Sequence, residues 1–286
     1  MKILVIGGSG FLGSHVCDAL SDTGFQVIIF DRVFSKWKRD DQEMIVGDLS
    51  NSDLLDKHVS GCHAVYNFAA ISDLDEALNK PEETVKVNIL GNIQILEACR
   101  KNKISRYIYA STVYVNSREG GFYRCSKQAS EQYVLEYYKT YGIEFTILRY
   151  GSLYGPRSDY HNGLWRVVKN AIENGFISYQ GSPEAMREYI HVADAARASV
   201  KALEKEFTNE SVILTGQQPM NVIDLLKMLA EILGISQDVK FTDKIQAGHY
   251  IRTPYAYDHK IGRKYIPQMH VDIGQGLLEL INWVQK

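Results

Sequence analysis

Short, largely apolar runs rich in β-branched residues recur through the first half of the chain, at 3–6, 27–30, 44–46, 64–68, 107–110 and 145–148. They do not alternate with polar positions, which suits strands buried on both faces of a parallel sheet. Helical patterns lie between most of them. One follows Gly10, a second follows Pro81 in a first-turn position, and a third begins near Tyr123. Strands alternating with helices predict a doubly wound α/β sheet of the Rossmann type with right-handed crossovers.

After Arg149 the rhythm loosens. Glycines and prolines punctuate 151–156 and 181–183, with helical patterns at 164–174, 191–206 and 222–233, a strand at 212–214 and more helix near the C-terminus. This predicts a nucleotide-binding domain over 1–150, with 190–215 returning to it. A smaller substrate-binding domain over 151–286 would then fold over the carboxyl ends of the strands, where open α/β sheets take ligands. No internal repeat or low-complexity linker interrupts it.

Composition narrows the class. With 32 basic against 34 acidic residues and a net charge of −2, no long-range field draws nucleic acid or an anionic membrane. The cluster Lys36, Lys38 and Arg39 around Trp37 is short and reads as a solvated loop face. No apolar run approaches the ~20 residues that cross a bilayer, and MKILVIGG runs into glycines, so it reads as a buried strand rather than a signal. Cys17, Cys62, Cys99 and Cys125 lack metal-ligand spacing. A reducing compartment, the cytoplasm, and no metal are expected.

The segment GGSGFLGSH follows the first strand and opens a helix. Gly7, Gly10 and Gly13 (or Gly8, Gly10 and Gly13) give the spacing that makes a tight turn, lets backbone approach a pyrophosphate and packs helix on strand. Asp31 ends the second strand, where a carboxylate meets ribose hydroxyls and repels a 2′-phosphate, so NAD is expected over NADP. Arg32 beside it favours the phosphate. Asp48, after the third strand, suits either an adenine amino group or a helix cap.

Tyr123 and Lys127 are four apart at the start of a helical run, hence on one face. An ammonium near a phenol favours the phenolate, which can take a proton from a hydroxyl. Ser111 and Thr112 end the preceding strand, where a hydroxyl can steady a substrate oxygen. Cys125 reads as a small packed residue, and His191 as a positioning residue.

With these pieces placed, the sequence resembles the extended short-chain dehydrogenases/reductases, the branch holding nucleotide-sugar epimerases and dehydratases such as UDP-glucose 4-epimerase. VGDLS, FAAIS, NKPEETVKVNILGNIQILEACR, FYRCSKQASEQ, LRYGSLYGPR and REYIHVADAA carry the likeness beside the glycine turn. The resemblance implies Thr112, Tyr123 and Lys127 as the catalytic set, with Lys127 also on the nicotinamide ribose. It implies cofactor contacts at Phe11, Leu12, Leu49 and Ala69 as well as the glycines. It implies substrate contacts at Ser111, Ser152, Arg187 and Arg252, the arginines meeting a nucleotide diphosphate. It further implies a homodimer packed through the helices from Pro81 and Tyr123, with Tyr133, Val134, Tyr137 and Tyr138 compatible.

Four departures qualify the likeness. Val113 and Tyr114 stand where 4,6-dehydratases carry Asp-Glu, so dehydration is not expected. The connection from Thr112 to Tyr123 is short. Ser152 stands for a usual asparagine, and Asn67 for a common histidine. The expected activity is reversible C4 epimerisation of a UDP- or GDP-linked hexose with NAD. An NADPH-dependent 4-ketosugar reductase and a non-catalytic nucleotide sensor remain as alternatives.

Overall fold

The computed structural model describes residues 1–242 and 249–254; the C-terminal helical pattern lies outside them. The chain order is β1 (Lys2–Ile6), α1 (Phe11–Asp22), β2 (Gln26–Asp31), β3 (Gln42–Val46), α2 (Ser52–Val59), β4 (Ala64–Asn67), α3 (Leu74–Asn79) and α4 (Pro81–Thr84). A π-turn, Val85–Leu90, leads into α5 (Gly91–Lys101), followed by β5 (Arg106–Thr112), α6 (Gly121–Tyr141) and β6 (Glu144–Tyr150). The second half holds β7 (Ser152–Tyr154), α7 (Gly163–Asn174), β8 (Ser178–Gln180), β9 (Met186–Arg187) and β10 (Tyr189–His191). It ends with α8 (Val192–Lys201), β11 (Glu210–Leu214), β12 (Met220–Asn221), α9 (Val222–Leu233) and β13 (Lys240–Thr242).

Seven strands form one parallel sheet in the order β3-β2-β1-β4-β5-β6-β11. Alternate residues of each strand face opposite cores, because side chains in a strand alternate. Leu4, Ile6, Ile28 and Phe30 pack with α2, α5 and α6. Ile3, Val5, Val27 and Ile29 pack with α1 and α8. Both faces are thus covered, as the unbroken apolar runs require. A separate small core joins α7, α9 and Ile177 through Val167, Ala171, Val222, Leu226 and Ala230.

Arg106, at the buried start of β5, ties the returning segment to the sheet. Its guanidinium donates to the carbonyls of Phe145 (2.7 Å) and Ala202 (2.9 Å) and to the Thr146 hydroxyl. The Ala202 carbonyl is thereby drawn out of the helical ladder. The single helix expected over 191–206 instead stops at Lys201, and a separate short turn follows at Lys205–Phe207. Ser199 of α8 accepts from the Tyr66 phenol through its carbonyl (2.9 Å), and its hydroxyl lies 2.6 Å from that of Tyr150.

Replacing Arg106 by Leu leaves the Phe145 carbonyl with Asn209 N–H alone and the Ala202 carbonyl with only a long contact to the Thr146 hydroxyl at 3.4 Å. We expect a loss of ~2–4 kcal/mol, seen as a lower urea midpoint at an unchanged m-value; an unmoved midpoint would contradict the anchoring role.

Candidate active site

The order reverses between β1 and β4, whose carboxyl ends part to leave a crevice. The glycine turn fills its floor. Gly7 has a left-handed backbone, φ +78°, and a Cβ there would stand 2.5 Å from the Ala69 nitrogen; one on Gly13 would stand 2.2 Å from the Gly7 carbonyl. Gly7 and Gly13 are therefore the two the geometry demands, while a Cβ would be tight at both Gly8, 3.0 Å from the Cys17 sulfur, and Gly10, 3.3 Å from the Gly7 carbonyl. Gly10 is the N-cap of α1 and offers no side chain to its first turn, leaving those N–H groups open for an anion.

The Asp31 carboxylate accepts from the backbone N–H groups of Ser9 (3.0 Å) and Val33 (3.1 Å), which fixes it at the lip of the turn. Asp48 accepts from the Ser50 hydroxyl (2.6 Å) and N–H (2.8 Å), and these bonds hold its carboxyl below the usual range. It does not cap α2; Asn51 does, accepting from Leu54 N–H at 3.1 Å. Phe11 and Leu12 open α1, and Leu49 packs on the core beside Gly91. A cradle with no room for a Cβ, an open helix end and a fixed carboxylate suit a dinucleotide. Those residues would hold NAD.

One strand further along, Thr112 ends β5 and Tyr123 begins α6. Burial pushes the Tyr123 phenol up to about 12, and the nearby Thr112 side chain pulls it down by less. Lys127, 2% exposed, donates to the Ala110 carbonyl at 2.7 Å. Its ammonium lies 4.8 Å from the Tyr109 ring centre and 5.9 Å from that of Tyr123. Burial lowers Lys127 to about 7, with Glu131 opposing. In the chain alone, then, the ammonium does not acidify the phenol as the spacing suggests, because loss of water outweighs its attraction.

Ser111 is turned elsewhere. It is buried and donates to Glu131 at 2.5 Å, and the same carboxylate receives both ends of Arg149 at 3.0 and 2.7 Å. Asn88, in the π-turn, accepts from Ile71 N–H (2.8 Å) and donates to the Ile71 carbonyl (3.0 Å) and the Ser126 hydroxyl (2.9 Å). Ser126 in turn donates to the Tyr123 carbonyl. A π-turn at this point is a familiar sign of a functional region. Neither Glu131 nor Asn88 had been singled out; the π-turn has no sequence signal.

A cavity of about 480 Å³ opens beside Thr112 and runs between the sheet and the second core. Thr112, Ser152 and Arg187 line it; Ser111 and Arg252 do not, and Arg252 is exposed. Arg187 is no surface ion pair. It is 8% exposed, stacks on Tyr250 at 4.5 Å and donates to the Met186 and Ile251 carbonyls. Tyr114 also lines the cavity, edge-on to Tyr123 and hydrogen-bonded to His249 at 2.9 Å. His191 caps α8, its Nδ1 accepting from Ala193 N–H.

The family model described as the NAD dependent epimerase/dehydratase family matches residues 3–215. The chain belongs to that family. A UDP-glucuronic acid 4-epimerase from Bacillus cereus, solved with UDP-glucuronic acid and NAD, superposes with a TM-score of 0.81 at 28% identity, each chain covered over 90%. A UDP-glucose 4-epimerase from Thermotoga maritima, solved with UDP-glucose, gives 0.81 at 26%, again over 90% of each. A dTDP-glucose 4,6-dehydratase from Streptomyces niveus is 24% identical over 99% of this chain and 92% of its own. This member of the family is thus an NAD-dependent enzyme.

Three surface readings change. Cys125 is exposed rather than packed. Val134 lies in the core, and Tyr137 donates to Glu97 at 2.7 Å, so of the four residues assigned to a helix-packing face only Tyr133 and Tyr138 are exposed. The basic loop is partly paired: Arg39 meets Asp22 and Asp41, while Trp37 is stacked by Lys36 and Arg157.

Lys127 makes stability depend on pH in a defined direction. From about 7 up to its ordinary 10.5, the unfolded chain keeps a proton that the folded chain has shed. Raising the pH therefore favours the fold. Between pH 7 and 9, stability of the native protein relative to Lys127→Met is expected to rise in urea unfolding; a flat difference would contradict the lowered value.

Proposed function

We propose that the enzyme epimerises a nucleotide-linked hexose at C4, through transient oxidation of the C4 carbinol to a ketone. The observation that carries this reading is the placement of Thr112 and Tyr114 at one end of the cavity, with Tyr123 edge-on to Tyr114 and Arg187 buried in the same lining. NAD, when bound, supplies the acceptor for hydride. Thr112 holds the sugar oxygen, Tyr123 takes the hydroxyl proton and later returns it, and Lys127 steadies the nicotinamide ribose. Arg187 binds the diphosphate by its guanidinium fork, while Ser152 contacts the nucleotide. Arg252 joins the diphosphate by moving inward from the surface.

The relatives solved with substrate hold UDP-sugars, which supports UDP over GDP here. Val113 and Tyr114 bring no carboxylate at the two positions where 4,6-dehydratases carry Asp-Glu, which argues against elimination. Arg32, which favours NADPH and a one-way reductase, faces Asp48. A 2′-phosphate would meet two carboxylates, Asp31 and Asp48, with one arginine, which supports NAD-linked epimerisation.

The exposed apolar residues Val85, Leu90, Phe122 and Tyr133 along the Pro81 and Tyr123 helices support a homodimer. Free thiols at all four cysteines suit the cytoplasm.

Purified protein is expected to release NAD on denaturation and to convert a UDP-hexose into its C4 epimer, followed by NMR, without added cofactor. Tyr123→Phe should lower kcat by roughly 10²–10⁴; unchanged turnover would remove Tyr123 from the mechanism. Sedimentation velocity should give twice the 32.4 kDa chain mass, and a monomer at micromolar concentration would contradict the dimer.

A further inference from the structure

The cavity lining carries four formally charged side chains: Asp73, Asp75, Arg166 and Arg187. Two positive and two negative charges cancel, so the walls formed by the described residues are neutral before substrate enters. A UDP-hexose brings about two negative charges on its diphosphate, and a UDP-hexuronate adds a third on the sugar. The question is where that third charge would sit.

Neither arginine is free to receive it. Arg187 is the cation assigned to the diphosphate. Arg166 lies 3.7 Å from Asp73 and donates to the Tyr160 carbonyl at 2.7 Å. Among the described residues that line the cavity, those near Thr112 are otherwise neutral or acidic, and Lys127, the cation beside Tyr123, is buried on the Ala110 carbonyl and assigned to the nicotinamide ribose. Leu74, between the two aspartates, packs in the cluster that contains Tyr123 and Tyr114, and both aspartates line the same cavity as Thr112 and Tyr114. Asp73 caps α3, accepting from Glu76 N–H at 2.8 Å. Asp75 is exposed at the cavity wall and has no ion pair among the described residues.

His249 does not change the balance. Its ring, hydrogen-bonded to Tyr114, faces Arg187 and Arg166 on one side and Asp75 and Asp73 on the other. Burial, the largest effect, and then Arg187 lower its pKa, so it stands neutral at pH 7. Ser72, Thr112 and Tyr114 add only hydroxyls. Hydroxyls and carboxylates are good partners for sugar hydroxyl groups and poor ones for a carboxylate, which would be buried against like charge without a counterion.

We propose that Asp73 and Asp75 are specificity-determining residues that make the enzyme select an uncharged hexose and reject a hexuronate. This rests on the nucleotide-sugar reading above. It separates the chain from the UDP-glucuronic acid 4-epimerase that it resembles at 28% identity, and aligns its substrate class with that of the UDP-glucose 4-epimerase.

The test is binding as well as turnover. Titration calorimetry of UDP-glucose and UDP-glucuronic acid into NAD-loaded Tyr123→Phe protein reads selectivity with no chemistry in the way. UDP-glucose is expected to bind at least tenfold more tightly. In the Asp73→Asn, Asp75→Asn double variant the ratio is expected to shrink by at least fivefold. Asparagine caps a helix as well as aspartate does, so α3 is kept; Asp75→Asn alone, away from the cap, should shrink the ratio in the same direction. Equal or tighter uronate binding, a ratio unmoved in either variant, or no binding of both sugars would overturn the proposal. If the binding ratio behaves as stated while the native enzyme forms no C4 epimer, the specificity stands and the assigned reaction falls.

Discussion

Keeping an ammonium and a phenol together out of water is the constraint from which the site follows. Lys127 and Tyr123 are both in the interior, and a buried charge without partners is too costly to persist. The fold answers with the Ala110 carbonyl on Lys127, the Thr112 side chain near Tyr123, and a carboxylate, Glu131, one turn beyond Lys127. Glu131 is itself held by Ser111 from β5 and Arg149 from β6. The end of the sheet and the start of α6 are thereby locked to each other. On the far side Asn88 locks α6 to the segment after β4.

The same strand ends build the cofactor and substrate sites. At the reversal between β1 and β4, Gly13 touches the Gly7 carbonyl and Gly7 touches Ala69, so nothing but backbone lines the turn. Asp31 reaches back from β2 to close its edge. On the other side of β5 the chain leaves the sheet through β7 and returns through α8 and β11, with the second core standing over the gap. The cavity proposed for substrate is that gap, and the charges of its described lining come from elements far apart in sequence: α3, α7 and β9.

Much of this was legible in the residues. Parallel strands buried on both faces must be apolar throughout, so the six runs of the first half marked β1 to β6. A turn that admits no Cβ must be glycine, so the turn between β1 and α1 was marked as well. What escaped were choices fixed by register and long-range contact. Ser111 and Thr112 are neighbours at a strand end with opposite outlooks, and only the assembled sheet shows that Ser111 meets Glu131 while Thr112 lines the cavity. Cys125 lies two residues past Tyr123, hence on the far side of α6 and in solvent. The early end of α8 depends on Arg106, nearly a hundred residues upstream. Tyr114 and His249 meet across 135 residues, a pairing no local pattern encodes. The lowered Lys127 and raised Tyr123 belong to burial, which spacing on a helix does not reveal.

The central claim is that the protein alone holds Tyr123 as an unreactive phenol, and that the positive charge of oxidised NAD beside it turns it into a base. The direct measurement is the ionisation of Tyr123 followed by NMR of ring-labelled tyrosine, assigned with Tyr123→Phe, in NAD-free and NAD-loaded protein. The account requires titration at about 12 without NAD and at least ~2 units lower with it. The same value in both forms would contradict it.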